Sequence, residues 1–311
     1  MRVLCLTNLY PSADDPLFGC FVKEQVEDIR ALGVDVEVCC FDGRRDRTEY
    51  FRAVGRFRRA AASDRFDLVH AHYGLTGAVA LTQRRAPVVT TFWGSDTFIP
   101  WQRRVSYVVA RLTVPLFVSA QGRLRLSRPD AAVVPSAVDT QRFRPRPRDE
   151  ARRLLGWDEE GIYVLLPGPR ASVMKNAALF DATLKSLPAW LRARQVALEG
   201  YSRDEAALVM NAVDVTLMTS LSEGSPIAVR ESLACETPVV SVHVGDVPTL
   251  LGGLPGCAVR ERRPAALAAA VLDALQSGRT GALRARAEQY SRERVAREVL
   301  RVYERVVREG V

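Results

Sequence analysis

Strand-length apolar runs alternate with helical patterns along nearly the whole chain, and this alternation is the strongest constraint on its fold. Those runs are RVLCLTN, DVEVCCF, DLVHAHY, PVVTTFW, PLFVSA and DAAVVPS in the first half, and YVLLPG, RQVALEG, VTLMTS, PVVSV and CAVR in the second. Runs that are continuous in Val, Ile and Leu are typical of parallel strands covered by helices on both faces. The chain therefore predicts an α/β protein with two Rossmann-like parallel-sheet domains in tandem.

The domain boundary is predicted from the prolines between the two halves. The segment DTQRFRPRPRDEARRLLG contains Pro145 and Pro147, which exclude a continuing helix or a central strand. We therefore place an N-terminal domain at residues 1–146 and a C-terminal domain at residues 147–290. A charged helix over residues 291–311, with apolar residues at helical spacing, is predicted to pack back on the N-terminal domain.

The bulk composition predicts an ordinary globular protein of the cytoplasm. In 311 residues with 48% hydrophobic content, no apolar run approaches the roughly 18 residues of a membrane span. The six cysteines form no Cys-x-x-Cys pair and no metal-ligand spacing, which favours free thiols in a reducing compartment.

A dense basic cluster, Gly43 to Arg65, stands out within the net charge of +8. As a helix it would carry Arg52, Arg56 and Arg59 along one stripe. Two interpretations stay open: a solvated basic face, or a surface for an anionic acceptor or for peripheral contact with lipid head groups at the inner face of the membrane. Binding of nucleic acid is not predicted, because no recognition motif or aromatic-basic interleaving accompanies the charge.

Two glutamates flank a predicted helix start after the run VTLMTS. Glu223 precedes the turn Gly224-Ser225-Pro226, and Glu231 lies eight positions later inside the helix. Ser225 is predicted as the N-cap and Pro226 as the first helical residue. Ligands of parallel sheets bind outside the carboxyl ends of the strands. The two carboxylates would bracket a ligand with several hydroxyls and a phosphate.

A second predicted site segment, LLPGPRASVMKN, follows another strand in the same domain. It places Arg170 and Lys175 after the glycine turn at Gly168. Arginine forms forked hydrogen bonds to phosphate and lysine supplies a point charge, so this pair suits a diphosphate.

These motifs together resemble glycosyltransferase family four, whose members are retaining enzymes with the GT-B fold of two Rossmann-like domains facing a central cleft. The matching stretches are NLYPSADDPLFGCFVKEQ, FDLVHAHYGLTG, PVVTTFWGSD, VPSAVDTQRFRP, GPRASVMKN, MNAVDVTLMTSLSEGSPIAVRESLACETPVVSVHVGDV and GCAVRERRPAALAAAV. They cover nearly the whole chain, and the two glutamates followed by ACETPVVS are the most specific part.

The resemblance implies a hexosyltransferase-type enzyme that moves a sugar from a nucleotide-diphosphate sugar to an acceptor hydroxyl, with retention and without a metal or other cofactor. Its implied roles place Glu231 on the ribose hydroxyls and Glu223 near the donor sugar. Arg170 and Lys175 would neutralise the diphosphate, the turn at 224–226 would offer backbone N–H groups, and Gly19 would let the N-terminal domain approach the phosphates. The acceptor, a saccharide, a lipid-linked saccharide or a small metabolite, is not specified, so cell-envelope polysaccharide, glycolipid and secondary-metabolite assembly stay open.

Departures from the family pattern keep an alternative open. Trp93 stands where the family often has a histidine that contacts the donor sugar. His72 and Asp96 are candidate residues of the cleft, His72 with a catalytic role. Between Lys185 and Asp214 only one strand and one helix fit, which shortens the C-terminal domain. A non-catalytic carbohydrate-binding or scaffold protein is the alternative function.

Overall fold

The computed structural model describes residues 1–15, 17–43, 46, 48–63 and 65–310, and these residues form two compact units. The first unit comprises Met1–Pro135 and Arg292–Val311, and the second comprises Ser136–Ser291. The second unit therefore begins before the boundary predicted after residue 146. The reason is packing: the Val138 N–H donates to the Tyr290 carbonyl at 2.9 Å, and Phe143 is buried in the second core.

A parallel sheet of six strands forms the centre of the first unit. In chain order its strands are β1 (Arg2–Thr7), β2 (Asp35–Cys40), β3 (Leu68–His72), β4 (Val88–Phe92), β5 (Val114–Phe117) and β6 (Ala132–Val133). Their order across the sheet is β2-β1-β3-β4-β5-β6. Since β2 and β3 lie on opposite sides of β1, the chain reverses its winding direction between β1 and β3, the position where such sheets bind ligands.

Helices cover this sheet, and the longer ones carry an apolar stripe that packs on it. They are α1 (Cys20–Ala31), α2 (Glu49–Ser63), α3 (Gly74–Ala80), α4 (Ser95–Phe98), α5 (Pro100–Leu112) and α6 (Ala120–Arg125). In α1, for example, Val22, Val26 and Ile29 are buried at helical spacing.

The predicted basic cluster lies partly outside the described residues, which do not include Arg44, Arg45, Arg47 and Asp64. Arg52 and Arg56 on α2 are paired with Glu49 at 2.8 Å each.

The second unit has the same architecture, with a parallel sheet of five strands covered by helices. Its strands are β7 (Tyr163–Leu166), β8 (Arg194–Ala197), β9 (Val215–Met218), β10 (Val239–Val242) and β11 (Ala258–Arg260), in the order β8-β7-β9-β10-β11. Its helices are α7 (Arg148–Leu155), α8 (Ala177–Lys185), α9 (Arg203–Ala212), α10 (Ile227–Ala234), α11 (Val247–Leu251), α12 (Pro264–Ser277) and α13 (Gly281–Glu288), with 3-10 turns at Val173–Lys175 and Ala189–Leu191. The winding reverses between β7 and β9. One strand and one helix, β8 and α9, lie between Lys185 and Asp214, as predicted.

The last helix, α14 (Arg292–Glu309), belongs to the first unit. Its stripe of Val295, Val299, Val302 and Val306 is buried. Arg292 at its start forms an ion pair with Asp28 of α1 at 2.7 Å. Within the described part of the chain, we find no helix that combines the length and the apolar character needed to cross a membrane.

Candidate functional site

The loops that follow β7 and β9 meet at the reversal point of the second sheet. Lys175 comes from the first loop and Glu223 from the second, and the Lys175 Nζ lies 2.8 Å from Glu223 Oε1. Each side chain is about one-fifth exposed, at 20% and 19%. The Thr219 hydroxyl donates to the Lys175 carbonyl at 2.8 Å and fixes the two loops together. A cation and a carboxylate, both reachable from solvent, thus share the position where parallel sheets bind ligands.

Gly168 explains how Lys175 reaches this position. With φ at +145° it turns the chain sharply after β7, and a Cβ there would lie 2.4 Å from the Lys175 Cε. Arg170, predicted as the second diphosphate cation, points to other partners. Its guanidinium pairs with Asp181 and donates to Gln195 Oε1 at 2.9 Å, and its backbone N–H donates to Glu199. The structure therefore joins Lys175 to Glu223 and engages Arg170 with a separate acidic and polar group.

Glu231 lies on α10 and is 2% exposed, with an ion pair to Arg203. Arg203 is the first residue of α9, which is held by a reciprocal capping box between Ser202 and Glu205. Its guanidinium also lies over the Phe143 ring, 4.9 Å from the centroid. We did not predict Arg203 from the sequence. The signal for it is the pattern SRDE after β8, a capped helix that starts at the carboxyl edge of the sheet with a basic residue.

The turn Gly224-Ser225-Pro226 is fixed by a buried polar network. The Ser225 hydroxyl accepts from the Ser136 N–H at 3.0 Å and donates to Asp246 Oδ2 at 2.9 Å. Asp246 in turn pairs with Arg230, whose side chain is fully buried. The predicted N-cap was therefore wrong: the structure assigns Pro226 as the N-cap of α10, and the Ser225 oxygen is committed to this network. Sequence reasoning missed Arg230 and Asp246.

In the first unit, His72 is the last residue of β3, and Trp93 directly follows the neighbouring strand β4. The His72 ring is buried against the His70 ring, with centroids 4.0 Å apart, and it stacks on Trp93 at 5.9 Å. Burial and the neighbouring His70 lower the pKa of His72 well below its ordinary value, so its imidazole is neutral at pH 7. Among the described residues, its Nδ1 has no hydrogen-bond partner. His70 instead bonds Tyr303 and Thr91, at 2.6 and 2.7 Å.

Asp96 is fully buried at the start of α4. Its carboxylate accepts backbone N–H groups from Gly74 at 3.1 Å, Gly94 at 2.9 Å and Trp93 at 3.4 Å. Burial raises the pKa of Asp96 to about 6, and the backbone hydrogen bonds oppose this rise. The geometry gives Asp96 a structural task, which is to tie together the loops after β3 and β4.

Gly19 immediately precedes α1 at a φ of +67°. A Cβ at this position would lie 2.2 Å from the Leu9 carbonyl carbon and 2.5 Å from the Tyr10 nitrogen. The close backbone approach within the first unit accounts for the glycine without a ligand. No three His, Cys, Asp or Glu side chains within the described ranges are grouped as metal ligands.

Two family models match the chain, one on each half. The model described as "Glycosyl transferase 4-like domain" matches residues 2–155, and that described as "Glycosyl transferases group 1" matches residues 172–277. TuaC of Bacillus subtilis, a glycosyltransferase assigned to teichuronic acid biosynthesis, is 24% identical over 87% of this chain and 88% of its own length. D-inositol 3-phosphate glycosyltransferase of Mycobacterium marinum is 27% identical over 92% of this chain and 72% of its own length.

Solved structures share the fold of the whole chain. Sucrose-phosphate synthase of Thermosynechococcus elongatus superposes with a TM-score of 0.84 at 17% identity, covering 98% of this chain and 99% of that one. HepE of Anabaena in complex with UDP-glucose gives a TM-score of 0.74 at 15% identity, with 98% and 99% covered. Two parallel-sheet units, the two family models and these neighbours agree with the expected architecture. The chain belongs to the family-four glycosyltransferases and has the GT-B fold.

Proposed function

We propose that this glycosyltransferase uses a nucleotide-diphosphate sugar, retains the anomeric configuration and needs no metal ion. The bond from the anomeric carbon to the diphosphate oxygen breaks, a bond to the acceptor oxygen forms, and the acceptor hydroxyl loses its proton. Support for the donor class comes from HepE, which was solved with UDP-glucose. Support for the polysaccharide or glycoconjugate setting comes from the name of TuaC.

The observation that carries the proposal is the Lys175–Glu223 pair at the reversal point of the second sheet. Negative charge develops on the diphosphate as the glycosidic bond breaks, and a fixed cation stabilises that charge. We assign Lys175 this role, which replaces a metal ion. Glu223 holds the lysine in place before the donor binds and then faces the donor sugar.

The remaining assignments keep the roles that the family resemblance implies. Glu231, held by Arg203, accepts hydrogen bonds from the ribose hydroxyls, and the fixed turn at 224–226 presents backbone N–H groups to the donor. Arg170 contributes to diphosphate binding only after it exchanges Asp181 for phosphate oxygens, so we rank it below Lys175. His72, neutral and buried, stays a predicted catalytic residue of the first unit.

The test is release of nucleoside diphosphate from UDP-glucose and a panel of other nucleotide sugars, in the presence of EDTA. Lys175→Met should lower kcat by on the order of 10²- to 10³-fold, the cost of removing one stabilising group for developing charge. Lys185→Met, which removes an exposed lysine from the same unit, is the matched control and should leave kcat unchanged. The anomeric configuration of the product, read by NMR, tests retention.

Three results would contradict parts of this proposal. Equal rates for the two lysine variants would remove Lys175 from catalysis. Activity that EDTA abolishes and Mg²⁺ restores would overturn metal independence, and an inverted product would overturn retention. If a donor raises the melting temperature but is never turned over, with any acceptor offered, the non-catalytic carbohydrate-binding function replaces the enzyme.

A further inference from the structure

A cavity of about 840 Å³ lies within the first unit at the carboxyl ends of its central strands. Asn8 and Leu9 follow β1, Tyr73 follows β3, and Trp93 follows β4, and all four residues line it. The cavity therefore occupies the reversal point of the first sheet, and its volume is in the range of pockets that enclose drug-sized molecules.

The wall of this cavity is aromatic and uncharged. Six of its aromatic lining residues are Phe18, Phe21, Tyr50, Tyr73, Trp93 and Trp101. Among the described residues that line it, none is Asp, Glu, Lys or Arg. At its rim, Phe51 is 81% exposed and Trp101 is 51% exposed, although such large apolar side chains are usually buried. An apolar ligand bound in the cavity would cover the exposed rings of Phe51 and Trp101 and remove them from water.

Most polar groups of the wall are already paired with one another. The Tyr73 hydroxyl contacts Ser95 Oγ at 2.9 Å and donates to Gln102 Oε1 at 2.5 Å, and Asn8 Nδ2 donates to the Tyr50 hydroxyl at 2.8 Å. Burial raises the pKa of both tyrosines to about 12, so both stay neutral phenols.

Two of the lining residues each carry a polar side-chain atom that is buried beneath the wall and has no partner among the described residues: the Asn8 Oδ1 acceptor and the Trp93 Nε1–H donor. One acceptor and one donor complement a single hydroxyl, which both donates and accepts. A saccharide would bring several hydroxyls into a wall that has few groups left to bond them, and each unbonded hydroxyl would weaken binding.

We propose that this cavity binds the acceptor, and that the acceptor is an apolar molecule with one hydroxyl inside the cavity rather than a saccharide. Because the ligand is taken to be the acceptor, this inference rests on the proposed function. Once the two side chains rotate to expose their buried polar atoms, the hydroxyl would accept from Trp93 Nε1–H and donate to Asn8 Oδ1, while the aromatic wall covers the apolar body of the ligand. An aromatic or polycyclic metabolite and an isoprenoid alcohol share this chemistry.

The test measures binding of 1-naphthol by equilibrium titration of the full chain without nucleotide sugar. Trp93→Phe keeps an aromatic side chain but removes the Nε1–H donor, and should weaken 1-naphthol by roughly three- to tenfold, the worth of one hydrogen bond. Trp190→Phe, at an exposed tryptophan of the second unit, is the matched control and should bind like the wild type. Naphthalene, which lacks the hydroxyl, reports only the change in ring packing, so Trp93→Phe should weaken naphthalene less than it weakens 1-naphthol.

Val54→Trp gives a second, independent reading because Val54 lines the cavity and the larger ring would fill it. A folded Val54→Trp variant should lose 1-naphthol binding. Competition by farnesol would assign the acceptor to chain alcohols, and lack of competition would assign it to ring systems. Either result supports the proposal.

The proposal is overturned if 1-naphthol does not bind saturably, if Trp93→Phe binds it as tightly as Trp190→Phe does, or if methyl glucoside displaces it. These outcomes are separable from a failure of the proposed function. Release of nucleoside diphosphate without 1-naphthol binding overturns only the acceptor inference. Binding of 1-naphthol without any donor turnover leaves the cavity's ligand class in place and removes its role in transfer.

Discussion

Gly245 allows the loop that carries Glu223 to pack closely, and replacing it with alanine should disturb the donor site. Gly245 has a φ of +52°. An alanine Cβ would lie 2.2 Å from the Gly224 carbonyl oxygen, 2.9 Å from its carbon and 3.1 Å from the Glu223 carbonyl oxygen. Backbone atoms cannot rotate aside as a side chain can. The turn at 223–224 must therefore move.

The size of the effect follows from two costs. Holding alanine in the left-handed region costs about 1–2 kcal/mol, and a stiffer unfolded chain offsets about 0.4–1 kcal/mol of this. Forcing an extra methyl into a packed site adds about 1–3 kcal/mol. Gly253→Ala is the matched control, because Gly253 has a φ of +76° and no described atom within 4 Å of its added Cβ. Gly253→Ala should therefore lower the free energy of unfolding only by the cost of holding alanine in the left-handed region.

Urea unfolding followed by far-UV circular dichroism measures the stability of both variants, and titration with the nucleotide sugar that the wild type turns over measures donor binding. Gly245→Ala should lower the free energy of unfolding by about 2–4 kcal/mol and Gly253→Ala by about 1 kcal/mol or less. Donor affinity should fall only in Gly245→Ala, since the shifted turn separates Glu223 from Lys175. Equal stabilities and equal donor affinities in the two variants would refute this account of the loop.

Two further substitutions test the buried charges. Arg230→Met removes the partner of Asp246 and should lower the free energy of unfolding in urea by about 3–5 kcal/mol. Arg260→Met, at an exposed arginine, should leave the free energy of unfolding unchanged. Because the folded state raises the pKa of Asp96 from 3.8 to about 6, the protonated carboxyl favours folding, and that contribution is full below pH 4 and is lost as pH rises through 6. The stability of wild type relative to Asp96→Asn should therefore fall by roughly 2 to 2.5 kcal/mol between pH 4 and pH 7, and a flat difference would contradict the burial argument.

The strands were predictable because of where they lie. A central strand of a parallel sheet is buried on both faces, so its run is apolar, and each of the runs quoted above contains or overlaps an observed strand. The edge strands β2 and β8 are less buried and include charged residues. Helix α10 begins at Ile227, one residue after the predicted start at Pro226. The domain boundary was displaced because Phe143, although set among arginines and prolines, is a core residue of the second unit.

The candidate site was predictable only in part. Lys175 and Glu223 are separated by 48 positions, but both follow central strands, so topology alone brings them together. Arg230 could not be singled out, because all but three of the 44 basic residues are arginines and local sequence does not mark this one as fully buried, whereas Arg203 is marked only by its place at the start of the capped helix α9. Their partners, Glu231 and Asp246, are fixed by tertiary packing.

Both sheets have the same order for their first five strands, so topology offers each unit one ligand position and does not choose the ligand. The loops make that choice. After β7 and β9 they supply a lysine and a carboxylate that are open to solvent, which suits an anionic, hydroxyl-rich donor. After β1, β3 and β4 they supply aromatic rings and two polar atoms that have no partner among the described residues, which suits an apolar alcohol. An enzyme that joins two chemically unlike molecules thus needs no difference in fold between its halves, only a difference in the residues that follow the strands.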